Sequence, residues 1–188
     1  MNVTPTRLPE VLLLEPRVFR DTRGFFLETW SRQRYVEAGL PAEFVQDNLS
    51  CSRRHVLRGL HFQNPTPQGK LVSVPQGVVW DVAVDLRADS PTFRQWVGVE
   101  LSAENARQLY VPEGFAHGFV ALSETALVAY KCTAAYSPAH ERSLRWDDPA
   151  LGIEWPVAQP LLSPKDAAAP CLRELPAEHL FAAAGALP

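Results

Sequence analysis

Apolar and polar residues follow one another along this chain in short blocks, each ended by proline, glycine or a small polar cluster. The most regular block covers residues 77–87. Val78, Trp80, Val82, Val84 and Leu86 fall on one side of an extended chain, and Val79, Asp81, Ala83, Asp85 and Arg87 on the other. The first side is expected to pack on a core. The second, acidic side is either wet or lines a polar cavity.

Other blocks read the same way. Residues 11–16 are an apolar strand stopped by Pro16, and residues 25–30 form a strand after the turn Asp21-Thr22-Arg23-Gly24. Residues 44–50 are a polar-ended strand or loop. Strands are also expected over 56–63, 70–74, 93–101, 108–112, 115–122 and 125–132. The clearest helix is 31–39, with Ser31 as N-cap and Gly39 as its stop. Residues 161–169 read as a loop leading into a short helix. Trp146 and Trp155 are the anchors of a proline-rich stretch after Tyr136, and residues 182–188 are a frayed end. Nine to eleven short strands with one or two helices predict an all-β sandwich or barrel of the jelly-roll type.

Composition narrows the function. A length of 188 residues predicts a single domain, and the net charge of -3 gives no general case for nucleic acid or an anionic membrane. Three cysteines, Cys51, Cys132 and Cys171, have no paired spacing, which argues against a disulfide framework and suits a reducing cytosol. No signal-peptide core and no membrane-length apolar run is present, so a cytoplasmic protein is expected. The glycine-rich phosphate loop, the GxSxG elbow and the HExxH motif are all missing.

The chemistry concentrates in Val56-Leu57-Arg58-Gly59-Leu60-His61-Phe62-Gln63 and in Gln68-Gly69-Lys70-Leu71-Val72. Charges set among bulky apolar residues need partners or a ligand. A metal site of the cupin kind has its second half here, Pro112, Gly114 and His117. Its first half is missing, because Phe62 and Gln63 follow His61. A metal-free cavity built for proton transfer is the better reading. His61 is the candidate base, and Asp166 or Asp81 its orienting carboxylate. Tyr130 is the candidate acid, suited to the task if nearby cations lower its phenol. Lys70 either supplies that cation field or stabilises an enolate oxygen. Arg23, Arg58, Lys165 and the run Gln46-Asp47-Asn48 suit phosphate and sugar or base edges.

The order of motifs resembles one family. It runs through residues 18–26, 44–48, 56–61, 68–72, Asp81-Val82-Ala83-Val84-Asp85, Ser90-Pro91-Thr92-Phe93, 112–119, Tyr130-Lys131 and Ser163-Pro164-Lys165-Asp166. Over roughly residues 8–172 the chain is similar to the dTDP-4-dehydrorhamnose 3,5-epimerases, cofactor-independent enzymes of sugar-nucleotide metabolism. The resemblance implies a cupin-like jelly roll and a homodimer that exchanges its N-terminal strands. It also implies a dTDP-4-keto-deoxysugar substrate, with no cofactor and no metal. The matching positions are His61 as base, Asp166 as its partner, Tyr130 as acid and Lys70 at the enolate oxygen. Arg23, Glu28, Gln46, Asn48, Arg58, His117, Glu141 and Lys165 match substrate-binding positions. Ala135 stands where the family often has an aromatic residue, Leu49 where a polar one is common, and Cys132 where Ala or Thr is usual. Relatives that invert C3 or C5 alone share the catalytic residues, so single epimerisation is the alternative, and a non-catalytic sugar-binding cupin a more distant one.

Overall fold

A computed structural model describes residues 1–181; the frayed end expected over 182–188 lies outside the described residues. Thirteen short strands are present among them, rather than nine to eleven, because Asn2–Pro5, Val18–Asp21 and Glu141–Ser143 also pair, from stretches without clear alternation. They are β1 (Asn2–Pro5), β2 (Leu12–Glu15), β3 (Val18–Asp21), β4 (Gly24–Leu27), β5 (Gln46–Arg53), β6 (Leu57–Gln63) and β7 (Lys70–Gln76). After these come β8 (Val78–Asp85), β9 (Trp96–Ser102), β10 (Gln108–Val111), β11 (Phe115–Ala121), β12 (Thr125–Cys132) and β13 (Glu141–Ser143). The helices are α1 (Arg32–Glu37), which starts at Ser31 and stops before Gly39, and α2 (Pro164–Ala167).

Two antiparallel sheets face each other. One has the order β1-β2-β10-β7-β12-β5 and the other β13-β6-β11-β8-β9, while β3 and β4 form a separate hairpin. This is the all-β, cupin-like jelly-roll arrangement. The space between the sheets is filled by Val72 and Val74 of β7, Leu109 and Val111 of β10, and Ala126 and Val128 of β12 on one side. Val79 and Ala83 of β8, Phe115 and Phe119 of β11, and Leu101 of β9 fill it from the other. Burying each valine, leucine or phenylalanine among them stabilises the fold by roughly 1.5–3 kcal/mol.

The alternating strand β8 therefore has two buried faces. Val79 and Ala83 meet the opposite sheet, whereas Val82, Val84 and Leu86 pack under Leu144, Leu151, Leu172 and Phe181. The proline-rich C-terminal stretch covers the outside of the sheet, so the side with the aspartates points inward, and Asp81 and Asp85 are fully buried. Residues 176–181 fold back as part of this cover, with Phe181 against Phe62. On the other sheet α1 does the covering, through Tyr35 against Leu14, Leu71 and Tyr110. The strand expected over 25–30 ends at Leu27, and Phe19, Phe25 and Phe26 of the β3–β4 hairpin are exposed.

One glycine positions the site. In a regular strand, residues three apart such as Arg58 and His61 point to opposite faces. Here the pairing of β6 with β11 slips: Phe119 lies opposite Arg58 but His117 lies opposite His61. Gly59 sits in the slip with φ +122°, where side chains are strained. A Cβ there would come within 2.6 Å of the Gly118 Cα and 2.8 Å of the His117 carbonyl oxygen. Both Arg58 and His61 consequently face inward. A Gly59→Ala substitution is expected to destabilise the protein by at least about 2 kcal/mol, measured by urea unfolding; an unchanged midpoint would show that the strands can part freely here.

Candidate active site

Along several strands the inward side changes from core to polar site. On β7 it runs Val74, Val72, Lys70, and on β12 it runs Ala126, Val128, Tyr130 and Cys132. On β11 it reaches His117, and on β5 Asn48 and Gln46. These ends converge on a cavity of about 500 Å³ lined by Arg58, His61, Lys70, His117, Phe119, Tyr130, Lys165 and Asp166, among others. A smaller lobe of about 190 Å³ shares His61, Lys70 and Tyr130 and adds Gln46, Asn48, Cys132, Tyr136 and Glu141. His61 enters from the five-stranded sheet and Tyr130 from the six-stranded one, so they belong to opposing walls.

The open choice of carboxylate for His61 is decided by geometry. His61 Nε2 lies 2.5 Å from Asp166 Oδ1, across 105 positions of sequence. Asp81 instead holds the other histidine, with His117 Nε2 at 2.9 and 3.0 Å from its two oxygens. Asp166 is almost fully buried, while His61 remains open to the cavity at 29% side-chain exposure. Asp166 is fixed from its other side too: Ser163 Oγ donates to its Oδ2 at 2.9 Å and accepts from its backbone N–H at 3.1 Å. Burial pushes the Asp166 carboxyl up, but the hydrogen bonds from His61 and Ser163 and the charges of His61 and Lys165 outweigh it. The group sits below its ordinary value and stays ionised.

Lys70 is buried, and its Nζ has one long contact, 3.4 Å, with the His61 carbonyl oxygen. Burial lowers its ammonium below the ordinary value, with Cys132, Asp81 and Glu141 opposing the shift. Burial raises the Tyr130 phenol, and the nearby Arg58 guanidinium offsets this only in part. The cation field expected to lower that phenol does not prevail, so Tyr130 keeps its proton at neutral pH. Among the described residues the phenol has no hydrogen-bond partner, so its proton is free for a ligand.

The substrate-binding candidates divide into two groups. Arg58 is braced by Ser52 Oγ at 3.0 Å and the Cys51 carbonyl at 3.1 Å, and its guanidinium borders the cavity. Gln46 donates to Asn48 Oδ1 at 2.9 Å, and Asn48 reaches Cys132 Sγ at 3.5 Å. Glu141 accepts from Lys165 Nζ at 2.5 Å and from the Tyr136 hydroxyl at 2.9 Å, which ties β13 to α2. Arg23 and Glu28 are not brought to this cavity. Arg23 is exposed on the β3–β4 turn and paired with Asp21 at 2.6 Å, and Glu28 is paired with Arg34.

Sequence reasoning did not assign Ser163, Phe119 or the Asp81–His117 pair. A Ser-Pro-x-Asp run carries a helix-cap signal that could have singled out Ser163. No local signal marks Phe119 as a cavity residue.

The profile of the family described as dTDP-4-dehydrorhamnose 3,5-epimerase matches residues 5–174. The dTDP-4-dehydrorhamnose 3,5-epimerase of Salmonella typhimurium is 60% identical over 175 residues, 92% of this chain and 96% of that one. That of Pseudomonas aeruginosa is 57% identical over 168 residues, 88% of this chain and 93% of its own. The fold matches the crystal structure of dTDP-6-deoxy-D-glucose-3,5-epimerase from Legionella pneumophila in complex with dTDP-4-keto-L-rhamnose. The TM-score is 0.94 and the identity 53%, over 96% of this chain and 97% of that chain. With the motifs, the fold and the matched length in agreement, this chain belongs to the dTDP-4-dehydrorhamnose 3,5-epimerase family.

Proposed function

We propose that His61 and Tyr130 act on opposite faces of one bound keto sugar, and that this is how the chain converts dTDP-4-dehydro-6-deoxy-D-glucose to dTDP-4-dehydro-L-rhamnose. The observation that carries this reading is the entry of imidazole and phenol into one cavity from opposing sheets. The chain is an isomerase, and the ketone already present at C4 makes the hydrogens on C3 and C5 acidic. With Asp166 ionised, His61 Nε2 donates to it, and Nδ1 is left to take a proton from carbon. The enolate oxygen then meets the Lys70 ammonium in a nearly dry site, where its charge counts for more than in water. The Tyr130 phenol returns a proton from the other face, which inverts the carbon.

Arg58 and Lys165 suit the diphosphate, and Gln46, Asn48 and Glu141 of the smaller lobe suit the nucleoside. The β3–β4 hairpin, with exposed Phe19, Phe25 and Phe26 beside Arg23, is read as the part that reaches a second copy in a homodimer. This gives Arg23 and Glu28 a role in the partner's cavity that they lack in their own. No helix of the described residues is long and apolar enough to cross a membrane, and the free thiols fit a reducing cytoplasm.

Incubation with the keto sugar in deuterated water tests the reaction. Label is expected at both C3 and C5 of the product. Label at one carbon alone would make the chain a mono-epimerase, and tight binding with no label would make it a sugar-binding module.

A further inference from the structure

We infer that Ser163 is a positioning residue for epimerisation, the third member of a Ser163–Asp166–His61 relay. The inference rests on the reading of His61 as the base. Asp166 has two carboxylate oxygens and each has a different task. Oδ1 meets His61 Nε2 at 2.5 Å, and Oδ2 receives the Ser163 hydroxyl at 2.9 Å. A carboxylate held at one oxygen only can rotate about its Cβ–Cγ bond. Held at both, it has one orientation, and so does the imidazole that donates to it.

Ser163 is itself locked. Its Oγ accepts the Asp166 backbone N–H at 3.1 Å, and the same residue is the N-cap of α2, with Pro164 at the first helical position. The cap therefore does more than close a four-residue helix. It fixes the hydroxyl proton toward Asp166, because the oxygen's acceptor side is already in use by the backbone. The α2 segment reaches β6 from residues far along the chain and is held there by the Val56–Leu161 bridge and the Lys165–Glu141 ion pair, neither of which touches the Asp166 carboxylate. The direction of the Asp166 carboxylate thus depends on this pair of hydrogen bonds. Ser163 also borders the cavity, so a bound sugar would lie against the relay and shield it from water.

Ser163 does not touch the reacting carbons in this assignment; its effect passes through Asp166. Ser163→Ala is expected to lower kcat about tenfold while KM changes little, since a hydrogen bond to a charged group is lost and no substrate contact is. Ser163→Gly is the companion variant, because glycine keeps most of the capping preference and removes the hydroxyl. It should lose kcat to the same degree, with a melting temperature no lower than that of Ser163→Ala. Ser163→Thr keeps the hydroxyl and should restore most of kcat. The decisive measurement is the double variant Ser163→Ala/Asp166→Ala, expected to be no slower than Asp166→Ala alone. Multiplied losses in the double variant would overturn the relay, as would a Gly variant with full kcat or a Thr variant as slow as Ala. If Asp166→Ala alone kept full activity, the reading of the His61–Asp166 pair would fall instead, which separates the two failures.

Discussion

A His61→Asn variant will still bind the dTDP-sugar but will wash almost no deuterium into C3 or C5, with kcat lower by about 10²–10⁴-fold. The substitution removes the basic nitrogen and little else. The asparagine amide stops short of the imidazole Nε2 position, but the buried Asp166 carboxylate keeps the Ser163 hydroxyl on its other oxygen. His61 keeps about a third of its side chain open to the cavity, so the fold does not hang on its packing. Deuterium incorporation followed by NMR reads the first proton transfer directly, before any question of inversion. Exchange at the normal rate would point to another base. The available one is His117, which lies opposite His61 in the pairing of β6 with β11 but is held by Asp81 on the far side. In that event the two histidine–aspartate pairs would have to trade roles.

The strands were legible in the sequence wherever apolar residues alternate or run between turn residues, and so were the chemical types at the site. What could not be read was which face each strand offers and to what. The 78–87 pattern is a clear alternation, yet its apolar side packs under a proline-rich C-terminal segment and its acidic side enters the space between the sheets. A period of two separates faces but does not say which cover each one finds. Arg58 and His61 share a face only because of the slip at Gly59, which an odd spacing hides. Asp81 and Asp166 were equal candidates beside His61, because distance along the chain carries no weight once strands pair. The β3–β4 hairpin shows the reverse. Its strand was legible at 25–27, but its phenylalanines stand in solvent in a single chain. Arg23, on its turn, and Glu28, named only through resemblance and just past its end, are away from the cavity that the other candidates share.

Tyr130→Phe is expected to separate exchange from inversion. The change removes one hydroxyl from the wall opposite His61 and keeps the ring, its volume and its burial. The hydroxyl has no hydrogen-bond partner among the described residues, so its loss leaves none stranded and stability should hold within about 0.5 kcal/mol. The base and the Lys70 charge remain, so the enolate still forms. With no donor on the far face, the proton comes back from the imidazolium, on the face it left. In deuterated water the starting sugar then gains label at each carbon that His61 serves, while inverted product falls by about 10²–10⁴-fold. Because burial holds the Tyr130 phenol protonated, this defect should persist across neutral pH rather than appear only on the alkaline side. If inversion continued at the normal rate, the donor would have to be water or the Lys70 ammonium, and the opposition of imidazole and phenol across the cavity would be geometry without chemical consequence.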